Sequence, residues 1–222
     1  MHKQITVEQD IRAVEILKQV GLMFEFGFML FDPSSTFESV RENIHFLRTI
    51  VGDGSAGAVF CRMLPYDGTP IKDELARTGR LLGDVCNPSY NFLDAKLDEF
   101  YEALTQVINV TGWVHGYRAL SPQLNWAWNE VAIIDRLFPH LSELAAYKDV
   151  LRGITKSSND LLLRVVEDMS YSFSDARKNP WSAQALEGQC RRWSECLLKA
   201  RNDFILRNQH LLLSALQEAT PA

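Results

Sequence analysis

The sequence predicts an α/β segment followed by an all-α segment. Three observations carry this. Near-continuous apolar runs at 22–31 and 57–63 alternate with amphipathic helical patterns, an α-β-α-β-α order that implies about two parallel strands with crossover helices. Beyond residue 93 no strand-like run recurs, and one amphipathic helix pattern follows another. The chain has 222 residues, 46% hydrophobic and 23% charged. A globular chain of that size buries roughly 70% of its unfolded surface.

The elements follow in order. Thr6 and Gln9 have capping-box spacing, and Val7, Ile11, Val14, Leu17 and Val20 recur at helical intervals up to Gly21. Leu22 to Phe31 is nearly all apolar and aromatic-rich, and reads as a strand buried on both faces. Ser35 and Glu38 form a second capping box, before Phe37, Val40, Ile44, Leu47 and Val51 on one helical face. A turn at Gly52 to Ser55 leads to a second strand at Gly57–Met63. A Pro65–Pro70 loop and a short helix from Ile71 to Thr78, stopped by Gly79, complete the α/β part.

The loop around Cys86 to Phe92 is followed by helices marked by Leu97 to Ile108, Leu124 to Phe138, Leu141 to Leu151 and Leu161 to Phe173. Asn179-Pro180 breaks the chain before a long last helix from about Trp181 to Ala219. The organisation expected is thus an α/β segment at 1–82, a linker at 83–93 and a helical domain at 94–222. Two parallel strands have two open edges and two apolar faces. Either other segments hide them, or further strands belong to a polypeptide outside this chain.

Composition narrows the function classes. A net charge of −5 supplies no basic excess for nucleic acid. No apolar run reaches the length of a membrane span. The first residues, Met1 to Ile5, lack a signal-peptide core, so a cytoplasmic location is expected. Cys61, Cys86, Cys190 and Cys196 then read as reduced thiols.

Gly52-Asp53-Gly54-Ser55-Ala56-Gly57 matches G-x-G-x-x-G, but with a helix before and a strand after it. A phosphate loop needs the reverse, so an αβ turn is expected. Cys190 and Cys196 project about 240° apart on a helix and cannot grip one metal from one face. His2, His45, His115, His140 and His210 show no ligand spacing, and no G-x-S-x-G occurs. Trp113, Tyr117, Trp126, Trp128, Trp181 and Trp193 read as core packing rather than a ligand platform.

Glu25 is the lone charge of its strand. It reads as a satisfied core carboxylate, a group facing a cavity, or a residue at a subunit contact, the structural role being favoured. Arg62 ends the second strand on the side where open α/β and barrel proteins place ligands, as do Asp32, Tyr66 and Asp67.

Several pieces in order resemble the last part of a radical S-adenosylmethionine (SAM) barrel, of the type often fused to a cobalamin-binding domain. Ile16-Leu17-Lys18-Gln19-Val20-Gly21 is similar to the family's L-K-x-x-G helix end. Phe26-Gly27-Phe28-Met29-Leu30-Phe31-Asp32-Pro33-Ser34-Ser35-Thr36 resembles its G-F-I-x-G-x-P-G-E-T strand and loop. Leu64-Pro65-Tyr66-Asp67-Gly68-Thr69-Pro70 resembles its P-Y-P-G-T-P loop. Phe31, Ser34 and Ser35 stand where many relatives carry Gly, Gly and Glu, and the cluster-binding C-x-x-x-C-x-x-C is absent.

The resemblance implies that 1–82 is the closing segment of a partial parallel (β/α) barrel with a C-terminal helical extension. It implies SAM as cofactor, with Gly27, Phe28 and Leu30 beside the adenine, and Asp32, Arg62 and Tyr66 near the barrel mouth. No residue of this chain is assigned a catalytic or metal-binding role. A four-iron four-sulfur cluster, and cobalamin, belong to the complete parent. The chain is then an incomplete radical SAM protein: a fragment, a mispredicted gene start, or half of a split enzyme, inactive alone. Its partner would be the N-terminal barrel portion or another subunit, acting on a small molecule that the sequence does not name. The alternatives are a non-enzymatic helical interaction module and a cluster-less SAM-binding protein.

Overall fold

Local chemistry sets the first helix. Thr6 caps α1 (Val7–Gln19) in a capping box with Gln9, as its spacing implies. None of α1's side chains is fully buried, but Ile11 and Val14 pack on the core while Ile16 is exposed on the opposite side. Lys18 adds a polar tie: its Nζ donates to Ile50 O at 2.6 Å and pairs with Asp53 at 2.9 Å.

The computed structural model describes residues 5–113, 119–139 and 141–218. His2, His115, Tyr117 and His140 therefore lie outside the described residues. Among the described residues the remaining elements are β1 (Met29–Phe31), α2 (Phe37–Val51), β2 (Cys61–Arg62), α3 (Pro70–Arg77), β3 (Leu81–Gly83), β4 (Pro88–Tyr90), α4 (Ala95–Val110), α5 (Leu120–Leu137), α6 (Glu143–Ser174) and α7 (Ala183–Glu218). The chain is mostly helical, with a C-terminal helical region. No helix among the described residues is long and apolar enough to cross a membrane.

β1 and β2 pair in parallel, Met29 opposite Cys61 and Phe31 opposite Arg62. The ladder is shorter than the apolar runs suggest. Residues 22–28 lie outside it, yet their exposure alternates: Met23, Glu25, Gly27 and Met29 are exposed, while Phe24, Phe26 and Phe28 are half-buried. That is the two-residue period of a strand covered on one side. The expectation of burial on both faces is thus corrected. It holds only at Leu30 and Phe31: α2 packs behind Phe28 and Leu30, and Phe92, Phe100 and Tyr101 bury Phe31 on the other face, while Glu25, Gly27 and Met29 on that face stay exposed.

α6 is the hub. It packs on α2, α4, α5 and α7. One apolar core runs unbroken from Leu30 and Phe31 through Leu104 and Val131 to Phe204. Arg48 on α2 meets Glu167 on α6 at 2.5 Å. Asn159 on α6 is buried and holds the α2–β2 connection: its side chain accepts from Ala58 N at 2.8 Å and donates to Val51 O at 2.9 Å and Ala56 O at 2.8 Å. Beside it Gly54 has φ +74, and a Cβ there would lie 2.4 Å from Arg152 O. The G-x-G-x-x-G stretch is accordingly a tight turn against α6, with glycine required by backbone approach.

Three local expectations change. The helix patterns at Leu141–Leu151 and Leu161–Phe173 are one helix, α6. The N-cap of α2 is Thr36, boxed with Ser39, while Ser35 Oγ accepts from Asp32 N at 2.8 Å. The 83–93 stretch opens with an antiparallel hairpin, β3 with β4. Asp84 Oδ1 shapes its turn by accepting from Cys86 N and Asn87 N, both at 2.8 Å.

Candidate functional site

The most developed polar site is built around Arg62. β2 brings it opposite Phe31, the hairpin brings Tyr90 and Phe92, and the first turns of α4 bring Tyr101. The guanidinium carbon sits 4.0 Å from the Tyr90 ring centre, 4.5 Å from Phe92 and 4.6 Å from Tyr101. Three ring faces around one cation give an attractive quadrupole field in a half-buried site. One terminal nitrogen of Arg62 donates to Tyr90 O. Its Nε is buried with no hydrogen-bond partner, and no carboxylate pairs with it among the described residues. Burial raises the Tyr90 phenol above its usual pKa, against the opposing pull of the Arg62 charge.

Arg62 lines a cleft of about 150 Å³ between β2 and α4. Phe31, Phe60, Leu104, Ile108 and Leu162 give it apolar walls, with Thr105 and Ser121 adding hydroxyls. Cys61 stands exposed beside it.

The other residues singled out in the sequence are dispersed. Phe28 stacks on Phe46 of α2 with ring centres 5.5 Å apart, and Leu30 is wholly buried in the core. Both therefore point to the covered side of the strand. Gly27 is exposed, with nothing within 4 Å of where a Cβ would stand. Asp32 is spent on its own loop, accepting from Ser34 N at 2.7 Å and Ser34 Oγ at 2.6 Å. Tyr66 is 65% exposed, and Asp67 pairs with Lys72. Glu25 is exposed, on the open face with Gly27 and Met29.

Trp113 and Trp128 are structural: their indoles donate to Ser158 at 3.2 Å and Thr155 at 3.1 Å. Sequence reasoning missed Tyr90, Phe92 and Tyr101 as partners of Arg62. Tyr90 and Phe92 lie in a stretch read as linker, and Tyr101 in a helix read only for its core face, so aromatic clustering is their only sequence signal.

The cysteines do not fit an iron–sulfur cluster. Cys61 lies in β2, Cys86 in the hairpin turn, and Cys190 and Cys196 on α7 with only Cys190 buried. Among the described residues no three His, Cys, Asp or Glu side chains gather as a metal site. No family model matches the chain, and neither a curated protein nor a solved structure matches it.

Proposed function

We propose that this chain is one part of a composite radical SAM protein, in which residues 1–82 add the closing strands and helices of a partial (β/α) barrel. The observation that supports the reading is the uncovered sheet. Residues 23–29 keep strand-like alternation with Glu25, Gly27 and Met29 exposed on one face, and Ile16 of α1 and Val20 at its C-cap are exposed beside them. A two-stranded parallel sheet with a bare face is unstable as a finished object, because such sheets occur buried on both sides. Further strands would cover the face carrying Glu25, Gly27 and Met29, and α1 would pack on the added layer.

On this reading the cluster and its C-x-x-x-C-x-x-C belong to the other part, as the scattered cysteines here require. When bound there, the cluster supplies the electron that cleaves SAM. This chain's contribution is positional. The open backbone at Gly27 gives a flat base close access to the strand, whereas Phe28 and Leu30 serve the core behind it.

The experiment is anaerobic reconstitution with iron and sulfide, on this chain alone and on a complex with the product of the adjoining upstream reading frame. The reading predicts about four irons per complex and none on the chain alone. A stoichiometric cluster on the isolated chain, or an iron-free complex, contradicts it.

A second reading, a helical interaction module, rests on the outer surface of α5, where Trp126 is 77% exposed near Ile133 and Leu137. It requires residues 94–222 to fold alone. The core that α6 shares with α2 weighs against that.

A further inference from the structure

We infer that the cleft between β2 and α4 is a binding site for a small apolar monocarboxylate, with Arg62 as its anchor. This does not rest on the composite assembly, because the cleft is lined by α4 and the core and not by the open residues Gly27 and Met29.

Three features converge. The first is charge. Arg62 is a cation with no ion-pair partner among the described residues, and its buried Nε has no acceptor. A buried donor left unmade is costly, and carboxylate oxygens are the acceptors a guanidinium binds best. The second is orientation. Tyr90, Phe92 and Tyr101 hold the guanidinium in place from the hairpin and α4, so little side-chain freedom is lost when an anion arrives. Cys61 N and Met63 N donate to Phe28 O, just before β1, and to Phe31 O, 2.8 Å each, so the intervening N–H of Arg62 faces away from β1.

The third feature is shape. About 150 Å³ between Phe31, Phe60, Leu104, Ile108 and Leu162 suits a body the size of a benzene ring. An apolar pocket with a few convergent polar groups is the usual form of a small-molecule site. Thr105 and Ser121 offer hydroxyls to a second oxygen. A ring or short chain bearing one carboxylate meets all three conditions. A multiply charged phosphate would leave the apolar walls unsatisfied.

The test uses the full chain with benzoate as probe, and benzamide and inorganic phosphate as controls, by titration calorimetry. Saturable benzoate binding at about millimolar affinity or tighter is expected, with benzamide and phosphate each at least about tenfold weaker. Benzoate should also slow alkylation of Cys61 while leaving Cys86 and Cys196 unaffected, which places the ligand without any substitution. Thr105→Trp, filling the cleft mouth, should abolish binding, and Arg62→Gln should weaken it about tenfold. Absent benzoate binding, equal binding of benzamide or phosphate, or unchanged Cys61 alkylation at saturation would each overturn the assignment.

Discussion

At Asn159 one side chain replaces a loop's missing backbone partners. It makes three hydrogen bonds to Val51, Ala56 and Ala58 inside the core. Asn159→Leu keeps the volume but strands all three groups, so urea unfolding should show a loss of about 3 kcal/mol. A change below about 0.5 kcal/mol would mean that the α2–β2 connection is held by something else.

Tyr147 is the opposite case. Its ring stacks on Phe204 with centres 5.3 Å apart, but its hydroxyl is buried without a partner. Burial, reinforced by the Glu130 charge and opposed by Arg201, pushes its pKa up to about 12. The unfolded phenol ionises near pH 10 while the folded one stays neutral, so stability is intact below that pH and is lost as pH rises toward 12. Tyr147→Phe should be neutral or stabilising at pH 7 and should flatten this alkaline loss. A clear destabilisation at pH 7 would show that the hydroxyl has a partner.

Cys190 is held by burial with its thiol raised to about 11, whereas Cys61, Cys86 and Cys196 are exposed. A disulfide-exchange reagent at pH 8 should therefore count three fast thiols, with the fourth appearing only in denaturant. Four fast thiols would contradict the packing of α7.

At the scale of elements, capping and periodicity made most helices legible. Thr6, the stop at Gly79 after α3 and the Asn179-Pro180 break fix ends close to those observed. α6 read as two helices because its apolar stripe is interrupted where Thr155, Ser158 and Asn159 point inward. Those polar residues are buried with specific partners, and hydrophobic pattern alone cannot distinguish them from a break. β3 and β4 have three residues each, too few for a period, and the Asp84 turn is their only sequence mark. The Arg62 site was half legible. Strand-end position pointed to Arg62, but its ring partners lie 28 to 39 residues away and meet it only through the hairpin and α4.

Lys18 ties α1 to Ile50 and Asp53, beside the packing of Ile11 and Val14 on the core. Lys18→Met should speed amide exchange throughout α1 by about tenfold while leaving α6 unchanged. Unchanged exchange in α1 would mean that Ile11 and Val14 hold the helix without the lysine.

At the scale of the whole molecule, compositional division and physical division differ. The sequence changes character near residue 93, yet the core crosses that point through α6. Far-UV circular dichroism and tryptophan fluorescence should therefore report one coincident unfolding transition, and residues 94–222 expressed alone should lack it. Two separated transitions would favour an independent helical module. The covered faces account for stability, and the exposed Glu25, Gly27 and Met29 with Ile16 and Val20 account for the proposed assembly.

Hydrogen exchange of the amides of residues 22–28 in the isolated chain tests that central claim most directly. The account predicts exchange close to that of an unpaired strand, far faster than in α6. Protection at the level of α6 in a monomer would show that this chain closes its own sheet, and would contradict the account.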